Sequence, residues 1–198
     1  MLSIDPAELS ERENYKLLIG SIIPRPIAFV TSLSEPGIIN GAPFSFFNIV
    51  SSNPPMISVS IARKNGQMKD TARNITSSKE FVVHIVDEKN VRQINETAAS
   101  LPPDQSELQL ANLTAIPSTK VAVPGVKEAK VRMECKLYRH LELEGNADLL
   151  IGQIVQFHIE DSIYENGKIN ANGLSAVSRL AGHDYAKIGD VFEILRPK

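Results

Sequence analysis

Val131, Met133, Cys135, Leu137, Leu141 and Leu143 alternate with polar residues along one stretch, and this pattern constrains the fold more than any other in the chain. Successive side chains of a strand point to opposite faces, so the alternation predicts a long strand with one buried face and Cys135 turned inward. Residues 149–160 follow closely and are apolar on both faces, as a central strand paired with its predecessor would be. Gly152 within that stretch predicts a bulge. Shorter β-rich runs at 27–32, 43–50, 56–62 and 80–86, punctuated by Pro, Gly and Asn, predict further antiparallel strands.

The middle of the chain reads differently. Residues 69–77 (KDTARNITS) lack alternation and predict a short helix with Asp70 near its start. Asp87 precedes Val91, Ile94 and Ala98, which are spaced as on one helical face. Residues 101–124 are rich in Pro, Ser, Asp and Gln and predict an excursion over the sheet, with a helical turn around 106–113. There are no repeats, no alternating β–α units and no sign of a domain boundary. A chain of 198 residues with this order of elements is expected to form one mainly β domain over 1–198, with a helical insertion. Its six or seven strands suggest a closed or partly closed antiparallel barrel.

Charge and motif exclude several functions. The 21 basic and 23 acidic residues nearly cancel and form no long run of one sign, which argues against nucleic acid or an anionic membrane as partner. The N-terminal stretch lacks a cationic start with an apolar core, and no apolar run reaches spanning length, so a cytoplasmic protein is expected. The common dinucleotide, P-loop and zincin motifs are absent. His84, His140, His158 and His183 stand at spacings that suit no local metal motif, and no metal is expected. Cys135, on an apolar strand face, is expected to be an inert thiol.

An anion site remains. Ser58 and Ser60 share one face of the 56–62 strand while Ile57, Val59 and Ile61 share the other. Arg63, Lys64, Gly66 and Lys69 follow, and then the helix start at Asp70 and Thr71. Hydroxyls, cations and free helix N-terminal amides are the groups that bind phosphate. The same residues also fit a solvated basic turn beside an exposed strand face. One strand away, Phe44, Phe46 and Phe47 are threaded with Ser45 and Asn48. With Thr31, Ser32 and Asn40 nearby, that run would offer an apolar wall and hydrogen-bonding groups to the edge of a flat ring. Alternation requires part of the aromatic set to be core. A ring pocket beside a phosphate cradle is the outline of a flavin mononucleotide (FMN) site.

The stretches PRPIAFVTS (24–32), GIINGAPFSFFNIVSSNPPMISVS (37–60), KDTARNI (69–75), EFVVHIV (80–86) and SRLAGHDYAKI (178–188) resemble the flavin reductase-like, FMN-binding split-barrel family, which includes flavoredoxins and small NAD(P)H:flavin oxidoreductases. The resemblance implies a six-stranded Greek-key split β-barrel, usually homodimeric, with FMN near the subunit interface. It places Thr31, Ser32 and the segment Asn40, Ala42, Pro43, Phe44, Ser45, Phe46 and Phe47 at the ring and ribityl chain. Ser60, Arg63, Lys69, Asp70 and Thr71 would hold the phosphate. Arg25 would stand at the ring or the interface, and His183 and Tyr185 near the open face of the flavin or the partner subunit. No catalytic acid or base is implied, because the flavin carries the chemistry. NADH or NADPH would be a transient co-substrate, and the electron acceptor a small molecule or a partner redox protein. A non-enzymatic FMN electron carrier, reduced by a protein partner, fits the same resemblance, as does a barrel that has lost flavin and binds something else.

Overall fold

Seven strands form one antiparallel sheet in the computed structural model, which describes residues 1–102, 104–144 and 146–197. They are β1 (Ala28–Leu33), β2 (Ile39–Phe44), β3 (Phe47–Ser52), β4 (Pro55–Ala62), β5 (Glu80–Ile85), β6 (Val131–Leu143) and β7 (Ala147–Ile159). The order across the sheet is β2-β1-β5-β6-β7-β4-β3. Its two edge strands, β2 and β3, are consecutive in the chain and joined only by Ser45 and Phe46. The sheet therefore has to roll until its edges meet at that link, where Ser60 N donates to Phe46 O at 2.8 Å. The link divides the 43–50 run, which is the end of one strand and the start of another, and the sheet has seven strands, within the six or seven expected from the sequence.

The long hairpin β6–β7 carries the register. Its pairing shifts between Ile151 and Gly152, the bulge that the glycine implied. A Cβ on Gly152 would lie 2.3 Å from Phe81 Cζ, so only glycine lets the two strands close over that ring. Cys135 is fully buried, and burial pushes its thiol pKa up.

Inside the barrel, Val30, Ile57, Val59, Ile61, Phe81, Val83 and Leu150 form a core that α2 (Asp70–Ser78) joins with Ala72 and Ile75. The outer face of β1 is covered as well: Phe29 packs with Ile94 of α3 (Val91–Glu96) and Leu108 of α4 (Glu107–Leu110). Burying each such side chain contributes about 1.5–3 kcal/mol, and here it fixes the excursion onto the sheet. His84 lies fully buried on the same side. Its Nε2 accepts from Val126 N at 2.9 Å, which leaves Nδ1 to donate to Phe29 O at 3.0 Å. Burial holds its pKa down at about 4.

A helix absent from the expectations precedes the sheet. In α1 (Glu11–Ser21), Ser10 and Glu13 form a capping box, the Ser-x-x-Glu signal of a helix start. Farther on, β8 (Val177–Arg179) pairs with Arg25–Pro26 and with β9 (Tyr185–Lys187). Val191, Phe192, Ile194 and Leu195 follow without regular structure and are exposed. Among the described residues no helix is long and apolar enough to cross a membrane, and no group of three or more His, Cys, Asp or Glu is placed to hold a metal ion.

Candidate functional site

Helix α2 begins without a cap. Lys69, its N-cap residue, is extended (φ −68°, ψ 158°) and its side chain makes no capping hydrogen bond. The first helical amide acceptor serves Arg73 N, through Lys69 O, so the N–H groups of the first turn have no acceptor within the helix. They carry the positive end of the helix dipole. Just before them, Asn65 (φ 52°) and Gly66 (φ 74°) make a turn of the I′ kind, closed by reciprocal bonds between Lys64 and Gln67. Because both central residues need positive φ, the Asn-Gly pair suits this reversal. The turn sets Lys64, Met68 and Lys69 beside the helix start.

These groups line a cavity of about 490 Å3, bounded also by Ala42, Pro43 and Phe44 of β2, by residues 97–101 after α3, and by Asn40 and Glu107. Its size falls in the range of small-molecule sites, roughly 300–1,000 Å3. Pro43, Phe44 and Ala98 also line a second cavity of about 230 Å3, with Tyr15, Ile27, Ser45, Val86, Arg179 and Tyr185. There the Arg179 guanidinium lies 4.5 Å from the centre of the Tyr185 ring, and Tyr185 Oη donates to Asn95 Oδ1 at 2.8 Å. One end of this paired space thus presents Lys64 and Lys69 around the first-turn amides, while Arg73 is paired with Asp70. The wall between the two cavities is apolar.

Beneath the cavity lies a layer of buried polar side chains. Asn40 Nδ2 donates to Glu107 Oε2 at 3.0 Å, and Asn40 Oδ1 accepts from Thr71 Oγ1 at 2.7 Å and from Ser32 Oγ at 3.3 Å. Asn74 Nδ2 in turn donates to Ser32 Oγ at 3.3 Å.

Of the residues expected at the site, Asn40, Ala42, Pro43, Phe44, Lys69, Asp70 and Thr71 line the larger cavity, and Ser45 and Tyr185 the smaller. The others lie elsewhere. Thr31 turns to the outer face of β1 and donates to Pro124 O at 2.7 Å, whereas Ser32 lies buried below the cavity; neighbours on a strand cannot both face one ligand. Phe47 packs on the barrel core, and Phe46 is exposed at the link between the sheet edges. Ser60 lines neither cavity. Arg25 caps the C-terminal carbonyls of α1, donating to Ile19 O at 2.7 Å and Ile22 O, and reaches Leu180 O at 2.8 Å. His183 is exposed and lines neither space.

Arg63 is the largest displacement from expectation. Its Nε and Nη2 donate to the two oxygens of Asp148 at 3.0 and 2.8 Å, and Nη1 donates to Glu142 at 2.6 Å. The Arg63 hydrogen bonds, joined by one from His140, hold the Asp148 carboxyl below the usual carboxylate range despite its burial. Three of its five N–H groups are thus taken by carboxylates of the fold, and Arg63 lines neither cavity.

Lys64, expected among the cations of the anion site, lines the larger cavity, whereas Gln67, Met68, Arg73, residues 97–101 and Glu107 were not expected there. The Asn-Gly pair offered a signal for the turn that presents Lys64. Glu107 had none, because its partners lie 66 and 67 residues away.

A model of the family described as flavin reductase like domain matches residues 19–174. The chain is 53% identical over 197 residues to an uncharacterized protein, YwrF, of Bacillus subtilis (strain 168), covering 96% of each. The structure of nitrilotriacetate monooxygenase component B from Bacillus cereus superposes with a TM-score of 0.97 at 59% identity, with 98% of each chain covered. That of Pseudomonas fluorescens 2-nitrobenzoate 2-nitroreductase NbaA gives 0.91 at 29% identity, covering 99% of this chain and 96% of the other.

Proposed function

Because the chain belongs to the flavin reductase-like family, we propose that it is an FMN-binding oxidoreductase that takes a hydride from NADH or NADPH and passes the electrons to an acceptor. The observation that carries this reading is the cavity in which an uncapped, lysine-flanked helix start meets the apolar wall of Ala42, Pro43 and Phe44. Those residues fit the group. Lys64, Lys69 and the first-turn amides of α2 would hold the phosphate, since charge-assisted donors favour a dianion. Phe44 and Pro43 would support the ring, with Ser45 at its edge.

FMN, when bound, supplies the hydride and electron transfer. The protein's own residues are left with binding and orientation. The acceptor is a small molecule or a partner redox protein; the likeness to a monooxygenase component favours a partner that consumes reduced flavin. A homodimer is part of the proposal, supported by the exposed apolar side chains of Ile22, Ile23, Ile49, Phe192 and Ile194, which a second copy would cover. Sedimentation of a monomer at micromolar concentration would remove that part.

The test of the main reading is spectroscopic. Purified protein is mixed with FMN under anaerobic conditions and then given NADH or NADPH. Bleaching of the protein-bound flavin faster than free flavin supports the reductase and identifies its donor. Bound flavin that stays oxidised would leave an electron carrier, and failure to bind flavin would overturn the proposal.

A further inference from the structure

Glu107 is an unusual residue to find at the inner side of this cavity. It belongs to the excursion, not to the barrel, yet it is only 7% exposed, and its Oε2 accepts from both Asn40 Nδ2 at 3.0 Å and Gly41 N at 3.1 Å. Its neighbours clamp the same strand: Ser106 Oγ donates to Ile39 O at 2.6 Å, and Leu108 Cδ1 lies 2.4 Å from where a Cβ on Gly41 would stand. Packing is therefore already secured on both sides of Glu107. A buried carboxylate is costly, and packing alone would be served as well by an apolar or amide side chain.

Both bonds fall on one oxygen, so a glutamine could also accept them, but in only one of its two flips, whereas a carboxylate accepts without donating whichever way it is turned. Facing it, Asn40 must present its NH2, and so its Oδ1 must point the other way, toward Thr71 Oγ1 at 2.7 Å. Thr71 is in the first turn of α2, the turn that has no side-chain cap of its own. We propose that Glu107 is a positioning residue for the flavin cavity: it fixes the orientation of the Asn40 amide, and through it seats Thr71 and the start of α2 against the ligand. The proposal rests on the flavin reading of the cavity.

A double-mutant cycle tests it, with Glu107→Gln, which keeps shape but can donate, and Thr71→Val, which removes only the hydroxyl. FMN affinity should fall about tenfold in each single variant and by about the same in the double, because both interrupt one relay. Losses that multiply to about a hundredfold, or an unchanged affinity in Glu107→Gln, would overturn it, even if the thermal midpoint drops. A ligand-free readout separates the two readings. The side-chain 15N amide signals of Asn40 should shift, and the Gly41 amide should exchange faster, in Glu107→Gln than in wild type. If wild type binds no FMN, the flavin reading falls, and these signals alone decide whether Glu107 orients Asn40; unchanged signals would overturn that role.

Discussion

Arg63 and Lys69 stand on either side of one tight turn, and in the sequence they look like two halves of one phosphate cradle. In the fold they part company. Arg63 is taken up by Asp148 and Glu142 of the β6–β7 hairpin, while Lys69 lines the cavity at the start of α2. A cation near a helix start thus says little by itself; what counts is whether a carboxylate from elsewhere in the chain has already engaged it. One side of the turn serves the fold and the other the candidate site.

That division can be tested from its most strongly buried member outward. His84 belongs wholly to the fold side, and its pKa of about 4 lies below the ordinary 6.5. The unfolded chain therefore takes up the proton first, so the stability His84 contributes is present above about pH 6.5 and is lost as the pH falls toward 4. The loss should be on the order of 3 kcal/mol across that window. Denaturant unfolding at several pH values should give a flatter dependence for His84→Gln; equal slopes would contradict the assignment.

Arg63→Ala comes next. It leaves Asp148 buried without its principal partner, so the thermal midpoint should fall clearly, with FMN affinity of the folded protein unchanged. A selective loss of FMN affinity would return Arg63 to the site. The same ion pair has an acid limb: the depressed Asp148 pKa gives stability that is present above about pH 4 and is lost as the pH falls through the lower folded value. Asp148→Asn should remove that limb.

The smallest effect belongs to Ser45, which lines the smaller cavity at the link between the sheet edges. Ser45→Ala should shift the visible spectrum or potential of bound flavin while leaving unfolding within about 0.5 kcal/mol of wild type. An unchanged flavin spectrum would move Ser45 to the fold side of the comparison.

The comparison also explains which features were legible in the sequence. Periodicity revealed β6, its inward Cys135 and the bulge at Gly152, because each is a local consequence of pleating. The start of α2 at Asp70 was local too. What stayed hidden depended on distance along the chain: Arg63 meets carboxylates 79 and 85 residues away, and Glu107 reaches back to β2. Thr31 and Ser32 turn to opposite faces for a reason that was available, since adjacent strand residues alternate. The capping box of α1 was readable as well, although a helix so exposed offers little apolar pattern to draw attention.

The most direct test of the division is to measure FMN and riboflavin dissociation constants for wild type, Lys69→Ala and Arg63→Ala. Only FMN carries the phosphate. Lys69→Ala should weaken FMN by about tenfold or more, the size of a lost charge-assisted contact, and leave riboflavin nearly unchanged, while Arg63→Ala should discriminate between neither ligand. Equal losses of both ligands in Lys69→Ala, or a phosphate-selective loss in Arg63→Ala, would contradict the account.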